Sequence, residues 1–233
     1  IMDHHLGVGA SGKFDGFEDK YYKGRRPNGI YIPRFRNLGG ASDRKDYKRG
    51  FGYQGGASRG NWEETVAELS YGKEFKENML KPGGWRMGIG GFGEVLPYED
   101  NRMTLDYDKL DSWGLPTITF DADLQENEFN MRKDMQESAV EMLEKAGLRD
   151  VKGHDGPTGL GLGIHEMGTA RMGRNRKTSV LNGNNQLHDV PNVYVTDGAF
   201  MTSASCVNPS LTYMAFTARA ADHAVKELKK GNI

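Results

Sequence analysis

Two side chains are suited to doing chemistry together. His165 lies in the glycine-rich run GLGLGIHEMGTARMG (159–173), and Asn208 stands with Pro209 at the head of a long apolar helical pattern. Taking a proton from an alcohol while hydride leaves its carbon needs a base that titrates near neutral pH, which imidazole provides. A side-chain amide beside it can hydrogen-bond the same oxygen as charge develops. Alone, His165 reads better as a satisfied core histidine than as a base. The amide at a helix start favours the catalytic pairing, provided the fold brings the two together.

Other reactive patterns are weaker. GVGASG (7–12) and GIGGFG (88–93) both spell G-x-G-x-x-G. That pattern grips a dinucleotide only between a strand and a helix, and neither segment runs into a helix. His165-Glu166 begins an H-E-x-x-H, but Thr169 takes the second histidine's place and glycines spoil the helix, so no metal is expected. Asp3-His4-His5 could donate to a metal, yet neighbouring residues on a strand point to opposite faces. Cys206 is a lone cysteine without an activating neighbour and reads as a small buried apolar residue; a cysteine hydrolase is the outlying alternative.

The elements that must position these groups follow from patterning. GIYIPRF (29–35) reads as a strand pushed to a sheet edge by Pro33. GFGYQGGASRG (50–60), WRMGIGGFGEVLP (85–97), NRMTLD (101–106) and the ITF before Asp121 read as further strands. A helix is expected from an Asn61 cap to Met79. A second is expected over 125–146, with Phe129, Met135, Ala139, Met142 and Leu143 at helical spacing and Gly147 as its stop. VYV (193–195) reads as a compact buried strand. Asn208 reads as the cap and Pro209 as the first residue of a helix whose apolar face carries Leu211, Met214, Ala215, Ala218, Ala221, Ala224, Val225 and Leu228. Strands mixed with helices, without regular βαβ units, predict an α+β fold built on mainly antiparallel sheet.

Bulk properties narrow the field. The 233 residues carry 31 basic and 32 acidic side chains, a net charge of −1, which argues against nucleic acid or an anionic membrane as partner. Glycine occurs 32 times, where an average usage predicts about 16. A single cysteine excludes an internal disulfide framework. No apolar run approaches a membrane span. The start, IMDHHLGVG, has neither the basic region nor the apolar core of a signal peptide, and reads as cut from a longer chain. The compartment, cytoplasmic or periplasmic, is left open.

In this order, His165 with GTARMG, NVYVTDGA, and Asn208-Pro209 with Thr212 resemble the C-terminal part of the glucose-methanol-choline (GMC) oxidoreductases. Gly93-Glu94, Pro97, Asn101-Arg102, TLD (104–106) and WGLP (113–116) resemble that family's substrate-domain strands. MDHH and Leu6 are similar to the segment that leaves its flavin domain. The resemblance implies a substrate-domain portion over 1–178 and, over 179–233, a strand and helix returning to the flavin-binding domain. It implies FAD as cofactor, His165 as the base facing the flavin, and Asn208 as its partner at the substrate hydroxyl. Asp197 and Gly198 would lie near the pyrophosphate or ribityl chain, and Asn208, Pro209 and Thr212 against the ring. The HEMGTARMG form with Asn-Pro resembles sugar and glucoside dehydrogenases. The expected substrate is therefore a sugar or related alcohol, with an electron-acceptor protein as a possible partner. The resemblance implies that the N-terminal flavin-binding domain lies outside these residues, so the chain alone is expected to retain no FAD and no turnover. The alternative is a non-catalytic carbohydrate-binding or assembly module.

Overall fold

The computed structural model describes residues 1–20, 29–41, 43–59, 72–80, 83–156 and 158–233. Its centre is an antiparallel sheet of β1 (His4–His5), β2 (Val8–Phe14), β3 (Gly29–Ile32), β4 (Phe51–Arg59), β5 (Trp85–Glu94) and β8 (Arg149–Asp155). The strand order is β3-β4-β5-β2-β8, and the short β1 pairs with the end of β5. Among the described residues β3 is an edge strand, and it ends just before Pro33. The hairpin of β6 (Arg102–Leu110) and β7 (Pro116–Asp121) forms a separate two-stranded sheet. Among the described residues the α-helices are α1 (Gly72–Met79), α2 (Glu126–Lys145) and α3 (Ser210–Lys230). The fold is α+β, as the patterning predicts. The Asn61 cap and first half of the expected first helix lie outside the described residues. Among the described residues, no helix is long and apolar enough to cross a membrane.

Strand alternation divides the sheet into two faces. Val8, Ala10, Phe51, Tyr53 and Ile89 point to α2 and pack with its Met131, Met135, Ala139 and Leu143 to form the main core. This corrects one expectation: Phe129, placed on the helix's apolar face by spacing, is exposed, and Met131 takes the core position. The helix sits close on the sheet because β5 is glycine-rich: a Cβ on Gly91 would fall inside Met135 Sδ, and one on Gly93 inside the His5 ring. Arg132, buried in this layer, donates to the Leu6 carbonyl at 2.7 Å and pairs with Asp155. The opposite face of the sheet carries His4, Gln54 and Phe92, interspersed with Gly88 and Gly90.

One C-terminal expectation is corrected. VYV forms no strand: Tyr194 makes one isolated bridge to Gln186, Val193 is exposed, and the backbone of the triplet bonds to the turns at 185–187 and Val190. The apolar face of α3 is exposed at Leu211, Met214, Val225 and Leu228. Within this chain the helix packs through its opposite side: Phe216 stacks on Phe200 at 4.7 Å, Arg219 lies over Phe216 and bonds Asn185, and His223 meets Tyr194 at 3.0 Å.

Candidate active site

The stretch before His165 cannot be helical, with glycine at 159, 161 and 163, and it folds as a loop around one buried carboxylate. Asp3 Oδ2 accepts from the amides of Gly161 (2.9 Å) and Gly163 (3.0 Å), and Oδ1 accepts from those of His165 (3.2 Å) and His4 (2.7 Å). Four charge-assisted bonds replace the water that a fully buried carboxylate loses. Gly163 has to be glycine, since a Cβ there would overlap Asp3 Oδ1 and the His4 carbonyl. The following Ile164 has φ +56°, a left-handed backbone that costs a β-branched residue roughly 1–3 kcal/mol. That turn throws Ile164 into solvent, 77% exposed, and His165 inward, 9% exposed.

The His165 ring meets a second imidazole. Its Nδ1 lies 2.9 Å from Nδ1 of His4, with ring centroids 4.8 Å apart at 71°. His4 stands edge-on to Phe92. Burial, and next the nearness of His165, hold the His4 imidazole below its ordinary pKa, while the carbonyls of Ala204 and Ser205 and the Asp3 carboxylate pull the other way. His5 points to the opposite face, with Nε2 3.4 Å from Met131 Sδ. Burial, then Arg132 and His4, push its pKa down to about 3.

Of the other predicted site residues, Asp197 and Gly198 lie beside this loop. The 3-10 turn Gly198–Phe200 is capped by Asp197, whose Oδ1 accepts from the Ala199 amide at 2.9 Å. Amides of Gly168, Ala170 and Met172 donate to the carbonyls of Gly198, Ala199 and Phe200, so the turn lies against the segment that follows His165. A Cβ on Gly198 would meet the Glu166 carbonyl and the Tyr213 hydroxyl. Beside it opens a cavity of about 780 Å³ lined by Met2, Tyr98, Arg102, Thr169, Arg171 and Met201, among others.

Asn208 departs from its expected role. The helix begins at Ser210, with Pro209 at the cap position and no side-chain cap bond. Pro209 is already in helical backbone, with its carbonyl accepting from Tyr213 at 3.1 Å. The exposed Asn208 side chain turns instead to the sheet, where Oδ1 accepts from Gln54 Nε2 at 2.8 Å. His165 and Asn208 are thus both tied to the face of the sheet away from α2, one through His4 on β1 and the other through Gln54 on β4. No hydrogen bond joins them directly among the described residues. Pro209 is buried and Thr212 half-buried on the same helix start.

Cys206 is buried, and burial foremost, with Glu94 next, raises its thiol to about 11, which removes thiolate chemistry at neutral pH. Among the described residues, no three His, Cys, Asp or Glu side chains converge as a metal site. Both G-x-G-x-x-G segments sit at antiparallel strands: GVGASG enters β2 through Gly7, and GIGGFG lies within β5. Neither opens a helix.

Sequence reasoning missed Asp3, His4 and Gln54 as site residues. Asp3-His4-His5 was visible as a cluster, but the partners of Asp3 in the His165 loop are 158 to 162 residues away, and no local period reports such pairs.

A family model described as GMC oxidoreductase matches residues 97–217, just over half of the chain. The 2-methyl-1,2-propanediol dehydrogenase of Mycolicibacterium austroafricanum is 32% identical over 235 residues, which is 96% of this chain and 40% of the relative. The fructose dehydrogenase large subunit of Gluconobacter japonicus is 27% identical over 239 residues, 99% of this chain and 41% of the relative. The paromamine 6'-oxidase of Streptomyces fradiae is 33% identical over 125 residues, 54% of this chain and 23% of the relative. The chain spans about two fifths of the length of the first and second of these.

Proposed function

The chain belongs to the GMC oxidoreductase family, and from that premise we propose that it is the C-terminal portion of an FAD-dependent enzyme that oxidises a CH–OH group of a sugar or related alcohol. The observation that carries this reading is His165, an imidazole held by the Asp3-bound loop on the same sheet face as the Asn208 amide. His165 takes the hydroxyl proton at Nε2, the ring nitrogen left free by its contact with His4. Asn208 Nδ2 remains available to donate to the same oxygen, while its Oδ1 is held by Gln54. FAD, when bound, supplies the acceptor for the hydride. The relatives named for 2-methyl-1,2-propanediol, fructose and paromamine support a donor with hydroxyl groups of this kind.

The fit to FAD is partial. Gly88 and Gly90 leave the open sheet face bare, with room for a Cβ at both positions, so a flat ring can lie close to backbone there. Asp197, Gly198, Asn208, Pro209 and Thr212 would stand along the ring and its ribityl side. The described residues supply no dinucleotide grip, because both glycine motifs are in strands. We assign that grip to a flavin-binding domain outside these residues, with the exposed apolar face of α3 packed against it and 179–233 returning to it. An electron-acceptor protein would complete the cycle.

The test is dye reduction by the full-length protein with a panel of sugars and diols. His165→Ala is expected to lower kcat by about 10²–10⁴-fold, and Asn208→Ala by about 10–10³-fold. Wild-type protein that binds sugars yet reduces no dye points to a carbohydrate-binding module instead. The 233-residue chain purified alone is expected to be colourless, and an equivalent of tightly bound flavin overturns the assignment of the grip elsewhere.

A further inference from the structure

We propose that Gln54 is the positioning residue of Asn208: by one side-chain bond it fixes where the amide stands on the sheet, and it acts on the reaction through Asn208 alone. The proposal rests on reading Asn208 as the partner of the base.

The loop 202–208 is poor in the bonds that hold a chain in place. Among the described residues no backbone N–H or C=O within it bonds to other backbone, whereas Met201 before it and Pro209 after it each do. The helix that follows has no side-chain cap bond to fix its start. Ser205, in the middle, has a left-handed backbone at φ +63°. The carbonyls of Ala204 and Ser205 come near the His4 ring, but His4 Nε2 closes no hydrogen bond among the described residues. What remains is apolar seating at Ala204 and Cys206, both buried, and a single polar tie. That tie is the 2.8 Å bond from Gln54 Nε2 to Asn208 Oδ1, which joins residues 154 positions apart.

The tie is in step with the strand beneath it. A Cβ on Gly52 would lie 3.6 Å from the Cys206 carbonyl, so Gly52 lies under Cys206 as Gln54 lies under Asn208. Two residues along β4 match two along the loop, and positions 52 and 54 share one face of the strand. β4 is thus the template on which the loop is laid, and Gln54 is the last point of attachment. Past it the floor is bare. Gln54 pairs with Gly90 and Gly56 with Gly88, and a Cβ on Gly88 or Gly90 would meet nothing nearer than 3.5 Å. Asn208 stands at the rim of this open floor, where a substrate can reach it.

Asn208 is itself exposed. Without the tie its side chain would sample several rotamers, few of which set the amide beside a substrate oxygen. Gln54 holds one of them before substrate arrives, which spares that ordering at the moment of reaction. His165 has a separate anchor, because its loop is held by Asp3. Both anchors meet on one sheet, since β1 and β4 each pair with β5. Loss of Gln54 therefore displaces the amide and leaves the base where it is. An interaction that strengthens as charge develops on the oxygen is read in kcat rather than in KM.

A double-mutant cycle in full-length protein tests this, read by steady-state dye reduction with the donor of the panel that turns over fastest. Gln54→Ala, and Gln54→Met as the variant of matching length, are expected to lower kcat by about 10–100-fold with KM within about threefold. In the Asn208→Ala background the same changes are expected to shift kcat by no more than about twofold, because the residue they act through is gone. The dependence of kcat on pH is expected to keep its wild-type midpoint in both Gln54 variants, because the base is untouched. If Gln54→Ala does not fold, Gln54→Met carries the cycle. Single losses that multiply in full in the double variant, a rise in KM with kcat unchanged, a moved pH midpoint, or wild-type kcat in both Gln54 variants overturns the proposal. Undiminished turnover in Asn208→Ala overturns the reading of Asn208 beneath it, by a separate measurement.

Discussion

Asp3→Asn should loosen the loop that holds His165 without altering a group that meets substrate. The carboxylate accepts two amides on each oxygen, His4 and His165 on one, Gly161 and Gly163 on the other. An amide side chain has one oxygen and one NH₂, so whichever way it turns, two backbone N–H groups face a donor. Hydrogen bonds to a charged group contribute about 1.5–3 kcal/mol each, which puts the loss at roughly 3–6 kcal/mol for a rigid site. The glycine loop can relax toward water, and we expect about 2–4 kcal/mol. Urea unfolding at neutral pH measures the loss. Hydrogen exchange at Gly161, Gly163 and His165 shows where it falls. Displacing His165 by about 1 Å should also lower kcat by around 10²-fold. Stability within about 0.5 kcal/mol of wild type, with unchanged protection of those three amides, would refute the view that Asp3 organises the site.

Further outcomes follow from burial and packing. His5 has a folded pKa of about 3, below its ordinary value of 6.5, so between those values the unfolded chain binds the extra proton. Its stabilising contribution is intact above pH 6.5 and is lost as pH falls toward 3, at up to about 1.4 kcal/mol per pH unit. Urea unfolding of wild type and His5→Met between pH 4.5 and 6.5 should show the slope flattened in the variant; an unchanged slope would contradict the assignment. Gly55→Ala drives a Cβ into the Gly88 carbonyl and the Ile89 side chain and should cost about 1–3 kcal/mol in thermal unfolding, whereas Gly84→Ala meets nothing within 4 Å and should stay within about 0.5 kcal/mol. Cys206, with its thiol raised to about 11, should be alkylated at pH 7 more slowly than a free model thiol until the protein is unfolded in urea.

Much of the fold was legible because alternation and helical spacing are local properties. Strands β3 to β7 and helix α2 fall close to where patterning puts them. What failed was the C-terminal third. VYV has strand composition, yet its neighbours offer it only a turn. The apolar residues of α3 are spaced as a core face, yet Phe200, Asn185 and Tyr194 meet the other side of the helix. Spacing reveals that a face is apolar, and cannot say which surface covers it. The site was half legible. His165 and Asn208 declare themselves by chemical type. Asp3, His4 and Gln54 become site residues only through pairings across the whole chain, and Asn208 lost its capping role to Pro209 for the same reason.

The ties from Asp3 to Gly161, Gly163 and His165 also set an order of events in folding. They join residues 158, 160 and 162 positions apart, and closing a loop of that length costs about 4–5 kcal/mol in chain entropy before any bond repays it. The pairing of β2 with β8, which sets Val8 opposite Asp155, closes most of that loop in advance. During synthesis, Asp3 and His4 emerge long before the loop that will clothe them. The base therefore gains its orientation in the last stage of folding, and a chain cut anywhere between the two ends would have to recover that contact without covalent help.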